Sequence, residues 1–280
     1  MERKSFLGLS AAGAFHKVVY WEWGPADAPV LLCVHGLTRN GRDFDAVAER
    51  FSDRWRVVCP DIVGRGESDR LLNPALYATP QYLADLTALI ARLNVDKVAW
   101  LGTSMGALLG MFAAATANTP VERLLMNDAG PVLTKESLQR IAAYVGSTPD
   151  FADMAEGEAY LRRVHAPFGP LTDEQWGHLA RHSLKTNAAG RVELKYDPAI
   201  AQPFAQVIGE DMVLWPFWDA VQCPVTVIRG AQSDLLRAET LAEMQSRGPA
   251  VTAHEIPGVG HAPALMADDQ LDLIAAWLEA

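Results

Sequence analysis

Short apolar segments rich in β-branched residues alternate along the chain with longer segments of helical periodicity. The apolar segments lie near residues 15–23, 30–34, 55–59, 97–101, 123–126, 225–229 and 252–256. Helical patterns occur near residues 44–51, 80–93, 105–117, 238–247 and 268–278. Apolar strands that alternate with helices are typical of a mostly parallel sheet covered on both faces. The pattern therefore predicts an α/β fold organised as one doubly wound domain.

This alternation stops between about residues 134 and 215. The segment contains several short helical patterns that carry aromatic residues and are broken by prolines. A structureless insertion of this length is uncommon in a compact domain. We therefore predict a helical cap at 134–215, inserted into a core formed by 1–133 and 216–280. A peripheral loop region without a role is the alternative.

The composition is that of an ordinary globular protein, with 50% hydrophobic and 21% charged residues among 280. A net charge of −10 disfavours nucleic acid as a partner, because the phosphate backbone is also anionic. The sequence contains no uninterrupted apolar run of about 20 residues, so we predict no transmembrane helix and no membrane insertion. The amino terminus is broken by glycines and runs directly into a strand pattern, so we interpret it as part of the fold.

The cysteines help to predict the compartment. Cys33, Cys59 and Cys223 lie in or beside apolar runs, and no pair has the Cys-x-x-Cys spacing of a zinc or redox site. This favours buried thiols in a reducing environment. We expect a cytoplasmic protein, a monomer or a homodimer, that needs no cofactor.

Ser104 is the strongest candidate for a nucleophile. It lies at the centre of Gly102-Thr103-Ser104-Met105-Gly106, between the apolar strand KVAWL and a helix of small residues. A strand, a sharp turn and a helix form the context in which a serine is exposed above the edge of a sheet. The first N–H groups of that helix, especially that of Met105, point to where an oxyanion would develop.

A second motif, His35-Gly36-Leu37-Thr38, follows the apolar strand VLLCV. Its glycine allows the backbone to turn so that the N–H of Leu37 reaches the same oxyanion. We expect the ring of His35 to pack and hydrogen-bond beneath the site rather than to act as the base.

His261 is the candidate for the general base. It lies in the loop Pro257-Gly258-Val259-Gly260-His261-Ala262-Pro263, between the last strand and the last helix. A histidine there can reach over the edge of the sheet and accept the serine proton near neutral pH. His178 and His182 have the i, i+4 spacing of some metal ligands, but no carboxylate or third histidine is evident beside them, so we predict no metal site.

Together these motifs resemble the α/β-hydrolase superfamily, specifically a serine carboxylesterase-like member with a helical cap. The stretch 61–69, Ser233-Asp234 and Gly260-His261 belong to the resemblance, which covers nearly the whole chain outside the cap. It implies an eight-stranded, mostly parallel sheet. It also implies hydrolysis of a small-molecule ester, in which Ser104 forms an acyl-enzyme and His261 acts as base and then as acid.

Two aspartates compete for the acid that orients His261. The resemblance favours Asp234, in the turn Gly230-Ala231-Gln232-Ser233-Asp234 one strand before the histidine loop. Asp128, in Asn127-Asp128, occupies a position that only some members use and is expected to play a supporting part.

The substrate pocket is harder to predict because distant side chains of the cap line it. Aromatic residues of the cap and its hinge are candidates for an apolar acyl or alcohol pocket. They are Tyr144, Phe151, Phe168, Trp176, Phe204, Trp215, Phe217 and Trp218. A preference for strongly anionic substrates would instead point to an arginine such as Arg39.

Other functions remain open from the sequence. Hydrolysis of carbon–carbon bonds, lactones or thioesters would use the same triad. A ligand-binding pseudoenzyme is the alternative from a different class, because the fold alone does not prove activity.

Overall fold

A computed structural model describes residues 1–280. The strands are β1 (Glu2–Leu9), β2 (Phe15–Trp23), β3 (Val30–Val34), β4 (Arg56–Pro60), β5 (Val98–Thr103), β6 (Val121–Asn127), β7 (Val132–Leu133), β8 (Leu184–Thr186), β9 (Val192–Leu194), β10 (Met212–Val213), β11 (Val225–Gly230) and β12 (Val251–Ile256). The α-helices are α1 (Asp45–Phe51), α2 (Thr79–Leu93), α3 (Met105–Ala114), α4 (Lys135–Ala142), α5 (Met154–Val164), α6 (Asp173–Ser183), α7 (Ala201–Phe204), α8 (Trp215–Asp219), α9 (Ala238–Ser246) and α10 (Asp268–Glu279). Short 3-10 helices lie at Gly41–Phe44, Pro74–Leu76, Ala166–Phe168 and Pro198–Ile200.

Eight strands form the main sheet, in the order β1-β2-β4-β3-β5-β6-β11-β12. The pairs β1–β2 and β2–β4 are antiparallel, and the other five pairs are parallel. The predicted mostly parallel α/β sheet is therefore confirmed. The amino terminus contributes the edge strand β1, which pairs with β2 from Glu2 to Leu9.

The core lies on both faces of this sheet, because successive side chains of a strand point in opposite directions. In β5, Val98 and Trp100 belong to the larger apolar cluster, whereas Ala99 and Leu101 belong to the cluster on the other face. Each fully buried aliphatic or aromatic side chain contributes about 1.5–3 kcal/mol to folding. Because β5 is packed on both faces, its position is fixed, and so is the position of its carboxyl end, which Thr103 forms.

The two ends of the segment at 134–215, here called the insert, lie next to each other. Leu133 of β7 pairs with Met212 of β10, and the backbone N–H of Lys135 donates to the carboxylate of Asp211. Part of the insert packs in a small apolar cluster of its own, which comprises Phe151, Leu161, Ala180, Leu184 and Val192. Its helix α4 instead extends the larger core cluster of the sheet through Leu138 and Ile141.

No helix in the structure combines the length and the apolar character that a bilayer crossing requires.

Candidate active site

Ser104 lies in a tight turn between the end of β5 and the start of α3. Its backbone has φ 54° and ψ −114°, a conformation that costs energy for a residue with a Cβ. The turn closes tightly: a Cβ on Gly102 would lie 2.3 Å from backbone atoms of Gly106, and one on Gly106 would lie 1.9 Å from the carbonyl oxygen of Val34. The glycines therefore permit the close approach that presents the serine side chain.

His261 lies directly over this serine. Its Nε2 is 2.9 Å from Ser104 Oγ, a hydrogen-bond distance for transfer of the hydroxyl proton. The loop that carries His261 is held from two sides. The N–H of Gly260 donates to the carbonyl of Pro167 at 2.8 Å, and the amide of Asn127 donates to the carbonyl of Pro263 at 2.8 Å. His261 is thus positioned by both the core and the insert.

Asp128 lies on the other side of the imidazole and is completely buried. Its Oδ2 is 2.7 Å from Nδ1 of His261 and also accepts from the hydroxyl of Ser233 at 2.6 Å. Its Oδ1 accepts from the N–H of Gly230 at 2.9 Å. With all three partners donating, the group is an acceptor for the Nδ1–H tautomer of His261, which leaves Nε2 free to face the serine.

Asp234 does not contact His261, and the predicted contact is wrong. Its carboxylate is about half exposed and forms an ion pair with the guanidinium of Arg140 in α4. The turn after β11 instead directs Ser233 inward, where the hydroxyl binds Asp128 and accepts from the N–H groups of Leu235 and Leu236. Ser233 of the predicted acid turn therefore helps to hold Asp128, which follows the neighbouring strand β6.

The predicted oxyanion donors, Leu37 and Met105, line the same cavity as Ser104. Met105 is the first residue of α3, and the first N–H groups of a helix have no acceptor within that helix. The loop of Leu37 is fixed by the buried Arg65, whose Nε donates to the Leu37 carbonyl at 2.8 Å. Two backbone amides are thus available from two different elements.

His35 is completely buried and hydrogen-bonds away from the serine. Its Nδ1 donates to the carbonyl of Gly36 at 2.7 Å, and its Nε2 accepts from the N–H of Ile62 at 2.9 Å. These contacts require the neutral ring. Burial lowers the pKa of His35 to about 4, so that the ring stays neutral at physiological pH.

An apolar cavity of about 240 Å³ opens beside Ser104. No charged side chain lines it, and 16 of its 19 lining residues are hydrophobic. Helix α3 contributes Leu108 and Phe112, one and two turns after Ser104, and the insert contributes Leu138, Ile141 and Phe204. The i+4 and i+8 spacing from Ser104 is the sequence signal that could have identified Leu108 and Phe112.

Of the aromatic pocket candidates, Phe204 lines this cavity, whereas Tyr144, Phe168, Trp215 and Trp218 lie elsewhere. Trp218 is buried in the core and donates from Nε1 to the carbonyl of Arg247, and Trp215 packs beneath the guanidinium of Arg247. Tyr144 lines a separate small hollow, and Phe168 lines another beside Ala262. None of these four lines the cavity beside Ser104, whose aromatic lining residues are Tyr77, Tyr82, Phe112 and Phe204, so their prediction as walls of that cavity is wrong.

His178 and His182 have a carboxylate neighbour that the sequence did not indicate. Potential ligand atoms of Asp45, His178 and His182 all lie within 4.8 Å of one another. Arg42 already binds Asp45 through two nitrogens, and His178 Nε2 is 2.9 Å from the Arg42 carbonyl oxygen. These contacts join α6 to the core beside α1.

The family model for the alpha/beta hydrolase fold matches residues 29–267. A 3-hydroxybutyrate-oligomer hydrolase of Cupriavidus necator is 46% identical over 278 residues, which cover 96% of this chain and 95% of that protein. A 2-(acetamidomethylene)succinate hydrolase of Mesorhizobium japonicum is 29% identical over 83% of this chain and 81% of that protein.

Among solved structures, an alpha/beta hydrolase from Novosphingobium aromaticivorans is similar, with a TM-score of 0.88 and 36% identity. The similarity covers 99% of this chain and 98% of that one. The chain is therefore a hydrolase and belongs to the α/β-hydrolase family.

Proposed function

We propose that this protein cleaves carboxylic esters through an acyl-enzyme on Ser104, and that oligoesters of short hydroxyacids are its substrates. The observation that carries the proposal is the chain of hydrogen bonds from Ser104 Oγ through His261 to the buried Asp128. The relative that is 46% identical acts on 3-hydroxybutyrate oligomers, which are linear esters. Both support hydrolysis of an ester bond.

In this mechanism the hydroxyl of Ser104 attacks the ester carbonyl while His261 Nε2 takes its proton. Asp128 accepts from Nδ1–H and stabilises the imidazolium that forms. The N–H groups of Leu37 and Met105 stabilise the negative charge on the carbonyl oxygen. His261 then donates its proton to the departing alcohol, and a water molecule, deprotonated by the same ring, releases the acid from Ser104.

The apolar cavity is the proposed acyl site. Its volume of about 240 Å³ and the absence of charged side chains suit an aliphatic chain. We also propose that the insert acts as a cap, because its residues Leu138, Ile141 and Phe204 line the cavity beside Ser104. Residues 1–133 and 216–280 then form the catalytic core.

A substrate panel with the purified protein tests this function. We expect turnover of p-nitrophenyl butyrate and of the linear dimer of 3-hydroxybutyrate, and loss of both in Ser104→Ala. The panel includes a thioester, a lactone and a carbon–carbon diketone, which represent the other reactions of the same triad. Turnover of one of these without turnover of either ester would overturn the proposal, as would ester turnover that survives in Ser104→Ala.

A further inference from the structure

Two cavities lie beside the loop that carries Leu37, Thr38 and Arg39. Leu37 faces the apolar cavity beside Ser104, whereas Thr38 and Arg39 line a small hollow between the core and the insert. The insert contributes polar side chains to this hollow, including His165, Ser183 and Tyr196. Successive residues of one loop therefore line both the apolar cavity beside Ser104 and a second hollow that contains several polar side chains.

Two hydroxyl groups in this hollow lack a partner. Ser183 and Tyr196 are each only 7% exposed, and neither Ser183 Oγ nor the Tyr196 hydroxyl makes a hydrogen bond within the protein. Buried polar groups in folded proteins are nearly always hydrogen-bonded, and leaving one unpaired is costly. The hollow has a volume of about 10 Å³, the space of one water molecule or of one carboxylate oxygen. We therefore infer that these two hydroxyl groups bind a polar atom of a ligand.

Arg39 supplies the positive charge at this place. Its Nε and Nη2 donate to Asp43 at 2.8 and 2.7 Å, which fixes the plane of the guanidinium and leaves Nη1 for another acceptor. Arg39 is buried, and the first part of its side chain lies close to Ser104. A Cβ on Gly36 would lie 3.6 Å from Ser104 Cβ and 3.7 Å from Arg39 Cγ.

A linear oligoester of a 3-hydroxyacid ends in a free carboxylate. When its last ester bond lies at Ser104, this carboxylate is the third carbon beyond the ester oxygen, on the side of the departing alcohol. We propose that Arg39 Nη1, together with the hydroxyls of Ser183 and Tyr196, binds the terminal carboxylate of the departing hydroxyacid. This inference rests on the proposed ester hydrolysis and specifies its direction, with units removed one at a time from the carboxyl end.

The reaction itself is that of the proposed function. The bond between the acyl carbon and the ester oxygen breaks as the bond to Ser104 Oγ forms, and His261 gives its proton to the oxygen that becomes the hydroxyl of the released hydroxyacid. Water completes the cycle by cleaving the acyl-enzyme. The carboxylate takes no part in these bond changes, so Arg39 is a specificity residue.

The test compares the 3-hydroxybutyrate dimer with the same dimer in which the terminal carboxylate is a carboxamide. We expect wild-type kcat/KM to be roughly ten- to a hundredfold higher for the carboxylate, the value of a hydrogen bond to a charged group. In Arg39→Gln this ratio should fall to nearly one, and in Ser183→Ala it should fall severalfold. Ser183→Ala is the second variant because it removes only one oxygen atom.

Arg42→Gln is the matched control. Arg42 is likewise a mostly buried arginine bound to an aspartate, Asp45, but it does not line the hollow. We expect its ratio of kcat/KM for the two dimers to equal that of the wild type. Equal cleavage of the two dimers by wild type would overturn the carboxylate site and leave ester hydrolysis standing. A ratio that falls equally in Arg42→Gln would also overturn it, whereas failure to cleave any ester would overturn the proposed function itself.

Discussion

Ser233 donates a hydrogen bond of 2.6 Å to the same carboxylate oxygen of Asp128 that binds His261. The two residues are 105 positions apart and extend from neighbouring parallel strands, β6 and β11. The serine occupies one lone-pair direction of Oδ2 and thereby helps to fix the carboxylate against the imidazole. This contact explains why the turn after β11 matters to the site although its own aspartate points outward.

The first prediction concerns the two aspartates. Asp128→Asn should lower kcat by roughly 10⁴-fold, because an amide cannot both accept from Nδ1–H and stabilise the imidazolium. Asp234→Asn is its matched control and should change kcat little, since it removes only a surface ion pair with Arg140. Steady-state kinetics with p-nitrophenyl butyrate measure both, and circular dichroism verifies folding. The reverse order of effects would return the acid role to Asp234.

The hydroxyl of Ser233 should act as a positioning group. We expect Ser233→Ala to lower kcat about tenfold at nearly constant KM, because a hydrogen bond to a charged group contributes about 1.5–3 kcal/mol. Ser233→Thr keeps the hydroxyl and should restore most of the rate. A general loss of stability would lower the thermal midpoint in both variants without this difference in kcat.

Ser104 should be the single site of covalent labelling by a fluorophosphonate, since only a serine activated by a base reacts readily. Mass spectrometry of the digested protein identifies the labelled peptide. Asp128→Asn should label much more slowly than wild type at the same reagent concentration. Labelling at another serine, or an unchanged rate in Asp128→Asn, would contradict the assignment of the nucleophile and its acid.

Leu108→Phe should shorten the range of acyl chains that the enzyme accepts. The larger side chain enters the apolar cavity of about 240 Å³ one turn after Ser104. The ratio of kcat/KM for p-nitrophenyl octanoate to that for the acetate should fall by tenfold or more. Leu72→Phe, at a residue that is 88% exposed, is the control and should leave this ratio unchanged. If both variants behave alike, the acyl chain binds elsewhere.

His35 should contribute to stability in a manner that depends on pH. Its pKa is about 4 in the folded protein, against about 6.5 for an exposed ring, because burial disfavours the charged form. Between pH 6.5 and 4 the unfolded chain therefore binds more protons, and stability falls as the pH falls. The free-energy advantage of wild type over His35→Gln should shrink by about 3 kcal/mol from pH 7 to pH 4.

Urea denaturation of both proteins across this range measures the difference directly. The comparison with the variant is necessary because Asp61 titrates in the opposite sense. Burial raises the pKa of Asp61 to about 6, so its contribution falls as the pH rises from about 4 to 6. This contribution is common to both proteins and cancels in the difference.

Local sequence determined much of this molecule. The apolar runs predicted the central strands, since a strand buried on both faces needs hydrophobic residues at successive positions. The sequence Gly102-Thr103-Ser104-Met105-Gly106 predicted the turn, because its geometry depends on glycines within the same five residues. The sequence likewise predicted the loop around His261, because glycines and prolines lie around the histidine.

Tertiary structure decided what depends on residues far apart in sequence. Asp128 and Asp234 both follow a strand of the sheet, and only the direction in which each turn leaves its strand determines which carboxylate meets His261. The direction is set by the buried contacts of Ser233 on one side and by Arg140 of the insert on the other. The spacing from Ser104 could have identified Leu108 and Phe112, but no local pattern shows that Leu138 and Phe204 of the insert line the same cavity. Side-chain packing between distant segments, which leaves no local pattern, determines which aspartate contacts His261 and which side chains of the insert line the cavity.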